Sequence, residues 1–135
     1  MPPLDYRTTQ IRAAAALTTS YVAGTVIGTD ATGSGQLIAD NQLVLYVKLT
    51  SLGNMTSSEL KIEFSNDQTD WFQETLETYT SGVAVDTQLE HSFASAGNYR
   101  LAIPLKDKYV RVSSKGTGGT GAGSSLAITA IYGTA

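Results

Sequence analysis

The clearest pattern in the chain is a strict alternation of apolar and polar residues that starts at Leu60 and runs into a short polar stretch ending on the only tryptophan, Trp71. Successive side chains of a strand point to opposite faces, so Leu60, Ile62 and Phe64 are expected on one buried face. The short polar side chains of residues 65–70 can hydrogen-bond neighbouring backbone amides, which favours a turn. The pattern predicts an antiparallel hairpin whose return strand begins at Trp71.

Similar alternation, separated by turn residues, recurs along the chain. The predicted strands cover residues 17–27, 43–49, 60–64, 71–80, 83–93, 99–103, 109–113 and 126–132. Pro104 ends one of them, because proline cannot donate to a sheet ladder. Eight short strands at hairpin spacing, with no pattern typical of a long helix, predict an all-β, single-domain antiparallel β-sandwich with jelly-roll-like topology.

The first twelve residues have a different character. Residues 1–12 contain two prolines and show little periodicity, which predicts an extended N-terminal arm outside a sandwich domain formed by residues 13–135. Tyrosine and arginine are enriched where proteins bury contact surface, and an arm has no core of its own to serve. We therefore expect a partner interface at Leu4, Tyr6, Arg7 and Arg12.

Composition excludes several classes of function. The 135 residues suit one domain, and no cysteine is present to form a disulfide or a zinc-thiolate site. The net charge of −3 would repel nucleic acid, and no apolar stretch approaches the roughly 18 residues of a membrane span. The N-terminus has no secretory signal pattern, so we expect synthesis in a cytoplasm. Nucleic acid and membrane are not expected partners.

Residues that could carry chemistry have simpler structural interpretations. His91, the only histidine, shares the parity of core residues and is expected to be a satisfied or rim histidine. The glycine-rich stretch 116–123 precedes a strand instead of opening a helix, so it is interpreted as a linker too flexible to pack by itself and not as a phosphate loop. Asp67 and Asp70 lack the further oxygen ligands of a calcium site, which favours an Asx-capped turn. We expect no catalytic residue, metal or cofactor.

An aromatic platform remains open as an alternative. Trp71, Tyr46 and Tyr79, with the turn carboxylates Asp67 and Asp70, could present ring faces and polar groups to a flat polar ligand such as a sugar. A single tryptophan among apolar neighbours is more often structural.

Several segments together give the chain a resemblance to a family. An N-terminal arm precedes the Leu60 segment, followed by Gly-Asn-Tyr-Arg-Leu-Ala-Ile-Pro from Gly97 and a closing Leu-Ala-Ile-Thr-Ala-Ile-Tyr-Gly from Leu126. This order of features resembles small β-sandwich structural proteins of tailed bacteriophages, especially capsid decoration (cement) proteins. The resemblance implies a virion protein on the capsid exterior that binds and stabilises the major capsid protein lattice. It also implies contacts with further copies of itself, as a homo-oligomer or as lattice neighbours.

A narrower resemblance supports the alternative function. Phe64-Ser-Asn-Asp-Gln-Thr-Asp-Trp and the later Lys108-Tyr-Val-Arg-Val resemble the Ser-x-Asp-Gly-x-x-Trp and Tyr-Val-Arg segments of discoidin-like carbohydrate-binding jelly rolls, with Gln68 in place of the usual glycine. This resemblance implies a carbohydrate-binding module, or a module associated with the tail or neck of a phage.

Overall fold

The computed structural model describes residues 6–28, 42–104 and 107–133, and the regular structure in these ranges is all β-strand. The strands are β1 (Tyr6–Ala15), β2 (Val22–Ala23), β3 (Ile27–Gly28), β4 (Gln42–Leu52), β5 (Ser57–Ser65), β6 (Phe72–Gln73), β7 (Thr75–Thr80), β8 (Val83–Gln88), β9 (Glu90–Phe93), β10 (Gly97–Pro104), β11 (Tyr109–Thr117) and β12 (Ser124–Gly133). The predicted all-β, single-domain antiparallel sandwich is confirmed, with twelve described strands where eight were predicted.

The first sheet has four strands in the order β1-β12-β4-β10. Its central strand β4 shows the predicted alternation, since Leu43, Leu45, Val47 and Leu49 are buried while the residues between them face outward. In register, Leu45 lies opposite Ala130 of β12 and Leu101 of β10. One face of this sheet therefore contributes to the core.

The second sheet is built on the long pair β11 and β5, and each outer edge carries two short strands. β2 and β3 pair with successive parts of β11, whereas β6 and β9 pair with successive parts of β5. Leu60, Ile62 and Phe64 of β5 are buried, as their alternation predicts. They meet the side chains of the first sheet in one apolar cluster between the two sheets.

The N-terminal part differs from its prediction. Residues 6–12 are not an arm outside the fold, because β1 pairs with β12 from Tyr6 opposite Gly133 to Ala15 opposite Leu126. Residues 1–5 lie outside the described residues. The strand predicted over residues 17–27 is instead two two-residue strands, β2 and β3, joined by irregular chain. β1 is an edge strand with a polar, alanine-rich sequence, and Ile11 is its buried core residue.

The glycine-rich segment also differs from its prediction, because it is held by side-chain hydrogen bonds. Asn54 Oδ1 accepts bonds from the backbone N–H groups of Thr120 (3.2 Å) and Gly121 (2.9 Å), and Asn54 Nδ2 donates to Thr120 Oγ1 (2.7 Å). Ser124 Oγ accepts a bond from Leu17 N–H at 2.7 Å. The segment is thus packed against two neighbouring loops.

Candidate interaction surface

The hairpin formed by β7 and β8 is inserted into an edge strand of the second sheet. Before it, Gln73 lies opposite Glu63 of β5, and Glu74 N–H donates to Ile62 O at 2.7 Å. After it, Glu90 lies opposite Lys61, the next residue along β5. The register against β5 therefore continues across the insertion without a shift. The sheet needs no residue between 75 and 89 for its ladder.

This insertion corrects two of the predicted strands. Residues 71–80 were expected to pair with the Leu60 strand, but only β6 does so, and the rest of that segment forms β7. Residues 83–93 were expected to form one strand, but they divide into β8, which pairs with β7, and β9, which pairs with β5. Alternation continues through both segments, so it could not indicate where the pairing partner changes.

The two ends of the hairpin are well defined. At its base, Leu89 N–H donates to Glu74 O at 2.8 Å, and Gln73 Nε2 donates to Leu89 O at 3.1 Å. At its tip, Ser81 and Gly82 have φ angles of 51° and 80° and connect Thr80 to Val83. Two central residues with positive φ are typical of the tight turns whose twist matches a hairpin. The insertion is therefore a regular two-stranded hairpin that is closed by hydrogen bonds at its base and by a tight turn at its tip.

The hairpin has one apolar face that nothing in the described structure covers. Leu76, Val83 and Val85 share this face and are 53%, 63% and 44% exposed. Thr78 and Thr87 lie between them, and their hydroxyl groups are 3.2 Å apart. Large apolar residues clustered on an exposed face mark an interaction surface, because monomeric proteins seldom leave such patches in water.

The opposite face of the hairpin is polar. It carries Glu77 and Asp86, which lie opposite each other, and Tyr79, whose hydroxyl donates to Glu77 Oε1 at 2.9 Å. The chain around the hairpin is also acidic: residues 62–99 contain no lysine or arginine and have a formal charge of −7, against +4 for the rest of the chain. The carboxylates in question are Glu63, Asp67, Asp70, Glu74, Glu77, Asp86 and Glu90. This uneven distribution of charge can be read from the sequence alone, and it is the feature that could have indicated the surface around the hairpin.

A second exposed surface lies on the outer side of the first sheet. We call it the Tyr46 face, and it consists of Tyr46, Lys48, Asn98, Arg100, Ala127 and Thr129. Tyr46 is 42% exposed and lies opposite Arg100, with Lys48 two residues further along β4. A depression of about 380 Å³ opens beside Tyr46 above Ala127 and Thr129. The described outer face of this sheet carries no carboxylate, so it is basic.

The outer side of the second sheet is charged but internally paired. Glu63 is only 8% exposed, and its Oε1 accepts a bond from Arg111 Nε at 3.0 Å while Lys61 Nζ lies 3.8 Å away. Tyr21 donates its hydroxyl to Glu90 Oε2 at 2.7 Å, and burial, followed by this bond, raises the pKa of Tyr21. These groups satisfy one another, which distinguishes this surface from the Tyr46 face.

The predicted arm residues are spread along the start of the chain. Leu4 lies outside the described residues, and Tyr6 is in β1. The Arg7 guanidinium carbon lies 4.7 Å from the centroid of the Tyr132 ring, on the neighbouring strand β12. Arg12 Nη2 donates to the carbonyl groups of Ala15 (3.1 Å) and Ala16 (2.7 Å), and burial lowers its pKa.

The proposed platform residues are placed in separate surroundings. Trp71 packs on Arg111, with 4.3 Å between the guanidinium carbon and the ring centroid, whereas Tyr79 is 71% exposed near the hairpin tip. Asp67 Oδ1 accepts bonds from Thr69 and Asp70 N–H, both at 2.9 Å, as an Asx turn does. These bonds lower the pKa of Asp67. The structure thus pairs Trp71 with Arg111 and Tyr79 with Glu77, places Tyr46 on the first sheet, and does not join the three rings into one platform.

His91 has a specific partner. Its Nε2 lies 3.0 Å from Oε1 of Glu74 at the hairpin base, and its side chain is 20% exposed. In residues 6–28, 42–104 and 107–133, no three His, Asp or Glu side chains are grouped as metal ligands. The same ranges contain no helix with the length and hydropathy needed to cross a membrane.

Comparison with known proteins adds one structural likeness. No family model and no curated protein matches the chain. Among solved structures, the fold is similar to that of the SPBc2 prophage-derived protein YomS, with a TM-score of 0.54 over 99% of this chain and 97% of that chain. The two sequences are 14% identical. At this level of identity the likeness shows a common fold.

Proposed function

We propose that the protein is a non-catalytic structural component of a phage particle, a capsid decoration protein that binds the major capsid protein lattice from outside. The observation that carries this proposal is the β7–β8 hairpin, an ordered insertion whose apolar face is left in water by its own domain. An exposed apolar face is unfavourable in water for a protein that stays monomeric, whereas a protein that assembles with others buries it in an interface.

Two further features support a role in assembly. The fold is shared with a prophage-derived protein across nearly the whole length of both chains, so the sandwich is one that a prophage is known to encode. The sandwich also carries its own core of closely packed apolar residues, so it can fold first and dock afterwards. Repeated docking on a lattice multiplies contacts that are individually weak.

The composition of purified particles tests the location. Mass spectrometry of particles of the encoding phage is expected to detect the chain at a copy number comparable to that of the major capsid subunit. A copy number that is only a small fraction of the capsid subunit's would favour a tail or neck location instead. Absence from particles would refute a virion role.

Binding to the capsid can be measured directly. Purified protein should co-sediment with particles that lack it and raise their resistance to heat. A variant without residues 1–5 keeps every described strand and tests whether these five residues contribute to docking. The longer deletion of residues 1–12 is unsuitable, because it removes most of β1 from the first sheet.

A further inference from the structure

We propose that the β7–β8 hairpin of one copy binds the Tyr46 face of a second copy, so that the protein assembles head to tail with itself. The donor surface is the apolar hairpin face of Leu76, Val83 and Val85, and the acceptor is the basic outer face of the first sheet. The inference concerns the purified protein alone. It assigns to a second copy the same hairpin face that supports the proposed role in assembly, and its tests on the purified protein leave the presence of the chain in particles to be decided separately by mass spectrometry.

The apolar face of the hairpin is not covered by any other part of the described structure. β7 and β8 pair with each other and join neither sheet, and each residue of β8 is exposed. An isolated two-stranded hairpin is marginally stable in water and gains stability when another element packs on its apolar face. A second sheet is a suitable layer, because sheets pack face to face through their side chains.

Charge favours a copy of this chain as the occupant. The hairpin projects from the acidic segment 62–99, whereas the Tyr46 face carries Lys48 and Arg100, and neither has an ion-pair partner among the described residues. Glu77 and Asp86 lie on the polar face of the hairpin, so they attract the basic surface at a distance instead of pairing at its centre. Such attraction reaches about 10 Å at moderate ionic strength and mainly sets orientation and association rate.

The shapes and polarities of the two surfaces also fit. The small side chains Ala127 and Thr129 form the floor of the depression beside Tyr46, which leaves room for a branched aliphatic side chain from the hairpin. Tyrosine beside an open apolar depression is a common anchor of protein interfaces. Lys48, which also lines the depression, and Arg100 would then flank the contact.

The geometry has a consequence for the kind of assembly. Donor and acceptor are different surfaces, located on a hairpin and on the opposite sheet, so each copy retains one unused surface after a single contact. Contacts of this type produce rings when they close and filaments when they do not. Each six-residue strand spans only about 20 Å, so one contact is small and a closed ring, where every copy makes two contacts, is favoured.

The first test measures the mass of the full-length protein by sedimentation velocity over a wide range of concentration. The wild type is expected to form species larger than a dimer as concentration rises. Val83→Ser/Val85→Ser removes apolar groups from the donor face without adding a charge that Lys48 or Arg100 could pair with, and it should weaken association by at least about tenfold because less apolar surface is buried. Tyr79→Ser removes a larger exposed side chain from the opposite face of the hairpin and should assemble nearly as the wild type does.

The second test distinguishes head-to-tail contact from pairing of two hairpins. Lys48→Glu/Arg100→Glu reverses the charge of the acceptor face and should be monomeric by itself. Mixed with Val83→Ser/Val85→Ser, it should form a one-to-one complex and nothing larger, because one protein supplies the only intact hairpin and the other the only intact Tyr46 face. If Lys48→Glu/Arg100→Glu assembles as the wild type does, the acceptor assignment is wrong.

A deletion provides the remaining control for folding. Removal of residues 75–89 joins Glu74 directly to Glu90, which the unbroken register against β5 allows. This variant should remain folded by circular dichroism and be monomeric at every concentration. A wild type that is monomeric at all concentrations, or a deletion variant that still assembles, would overturn the inference.

Discussion

The guanidinium carbon of Arg111 lies 4.3 Å from the centroid of the Trp71 ring, on the outer side of the second sheet. The only tryptophan of the chain is therefore not a core residue, although it follows a strand with a clean core pattern. Arg111 is in turn oriented by its hydrogen bond to Glu63, which the arginine and tryptophan shield from water. A cation over an aromatic ring is attracted by the ring's negative face.

The contact between Trp71 and Arg111 predicts coupled effects on stability. Trp71→Ala should lower the free energy of unfolding by about 1–2 kcal/mol, since it removes packing as well as the cation–π contact. In a double-mutant cycle with Arg111→Ala, the coupling energy should be about 0.5–1 kcal/mol. Urea unfolding followed by circular dichroism measures both.

Tyr79→Ala is the matched control for that experiment, because it removes an aromatic ring that is 71% exposed at the hairpin tip. It should change the free energy of unfolding by less than about 0.5 kcal/mol. Equal effects at Trp71 and Tyr79 would mean that the stacked arrangement contributes no stability.

The buried hydroxyl of Ser124 is expected to contribute to the free energy of unfolding. Its Oγ accepts the bond from Leu17 N–H and donates to Gly121 O, so Ser124→Ala leaves the Leu17 amide without its acceptor. The expected loss is about 1–3 kcal/mol in the free energy of unfolding. Ser125→Ala, one residue further on a half-buried outer position, should cost less than about 0.5 kcal/mol in the same chemical denaturation experiment.

Gly121 and Gly82 separate steric conflict from backbone strain. Both have positive φ, but a Cβ at Gly121 would overlap the carbonyl oxygen of Leu17, whereas one at Gly82 meets nothing within 4 Å. Gly121→Ala should therefore cost about 3 kcal/mol or more, and Gly82→Ala only about 1 kcal/mol. Thermal unfolding of the two variants checks the order, and equal melting temperatures would contradict it.

The lowered pKa of Asp67 predicts that the stability of the fold decreases in acid. The N–H groups of Asp70 and Thr69, and then the Ser65 hydroxyl, donate to its carboxylate and hold the pKa below its ordinary value. The unfolded chain therefore takes up the proton first as pH falls. The stabilisation is fully present above about pH 4, the ordinary range of an aspartate, and is lost as pH drops through the lower folded value.

Asp67→Asn tests this by keeping an oxygen acceptor that does not titrate. The variant's melting temperature should fall less than that of the wild type as pH is lowered from neutral to about 2, measured by thermal unfolding. Asp70→Asn, in the same turn, controls for the loss of one negative charge. Identical acid profiles for wild type and Asp67→Asn would show that the turn does not depend on the ionised group.

Alternation identified the strands that place one apolar face in the core, such as β4, β5 and β12, but it did not show that Glu63 and Ser65 on the outer face of β5 are also buried. It did not identify β1, because the half-buried residues Arg7 and Thr9 are polar like the exposed ones between them, and bulges after Gln10 shift the register. It also placed the boundary between the arm and the domain inside a strand. The packing of residues 118–123 depended on Asn54, a residue more than sixty positions away, which no local pattern indicates.

What the sequence determined by itself was the class of fold, the central strands and the turn at Asp67, because side-chain periodicity and Asx chemistry act over a few neighbouring residues. Only the tertiary structure decided which strand pairs with which. Residues 75–88 alternate as a core strand does, yet they leave the sheet because β9 continues the ladder on β5. An alternating segment has an apolar face in either case, and whether that face is covered depends on partners that lie far away in the chain.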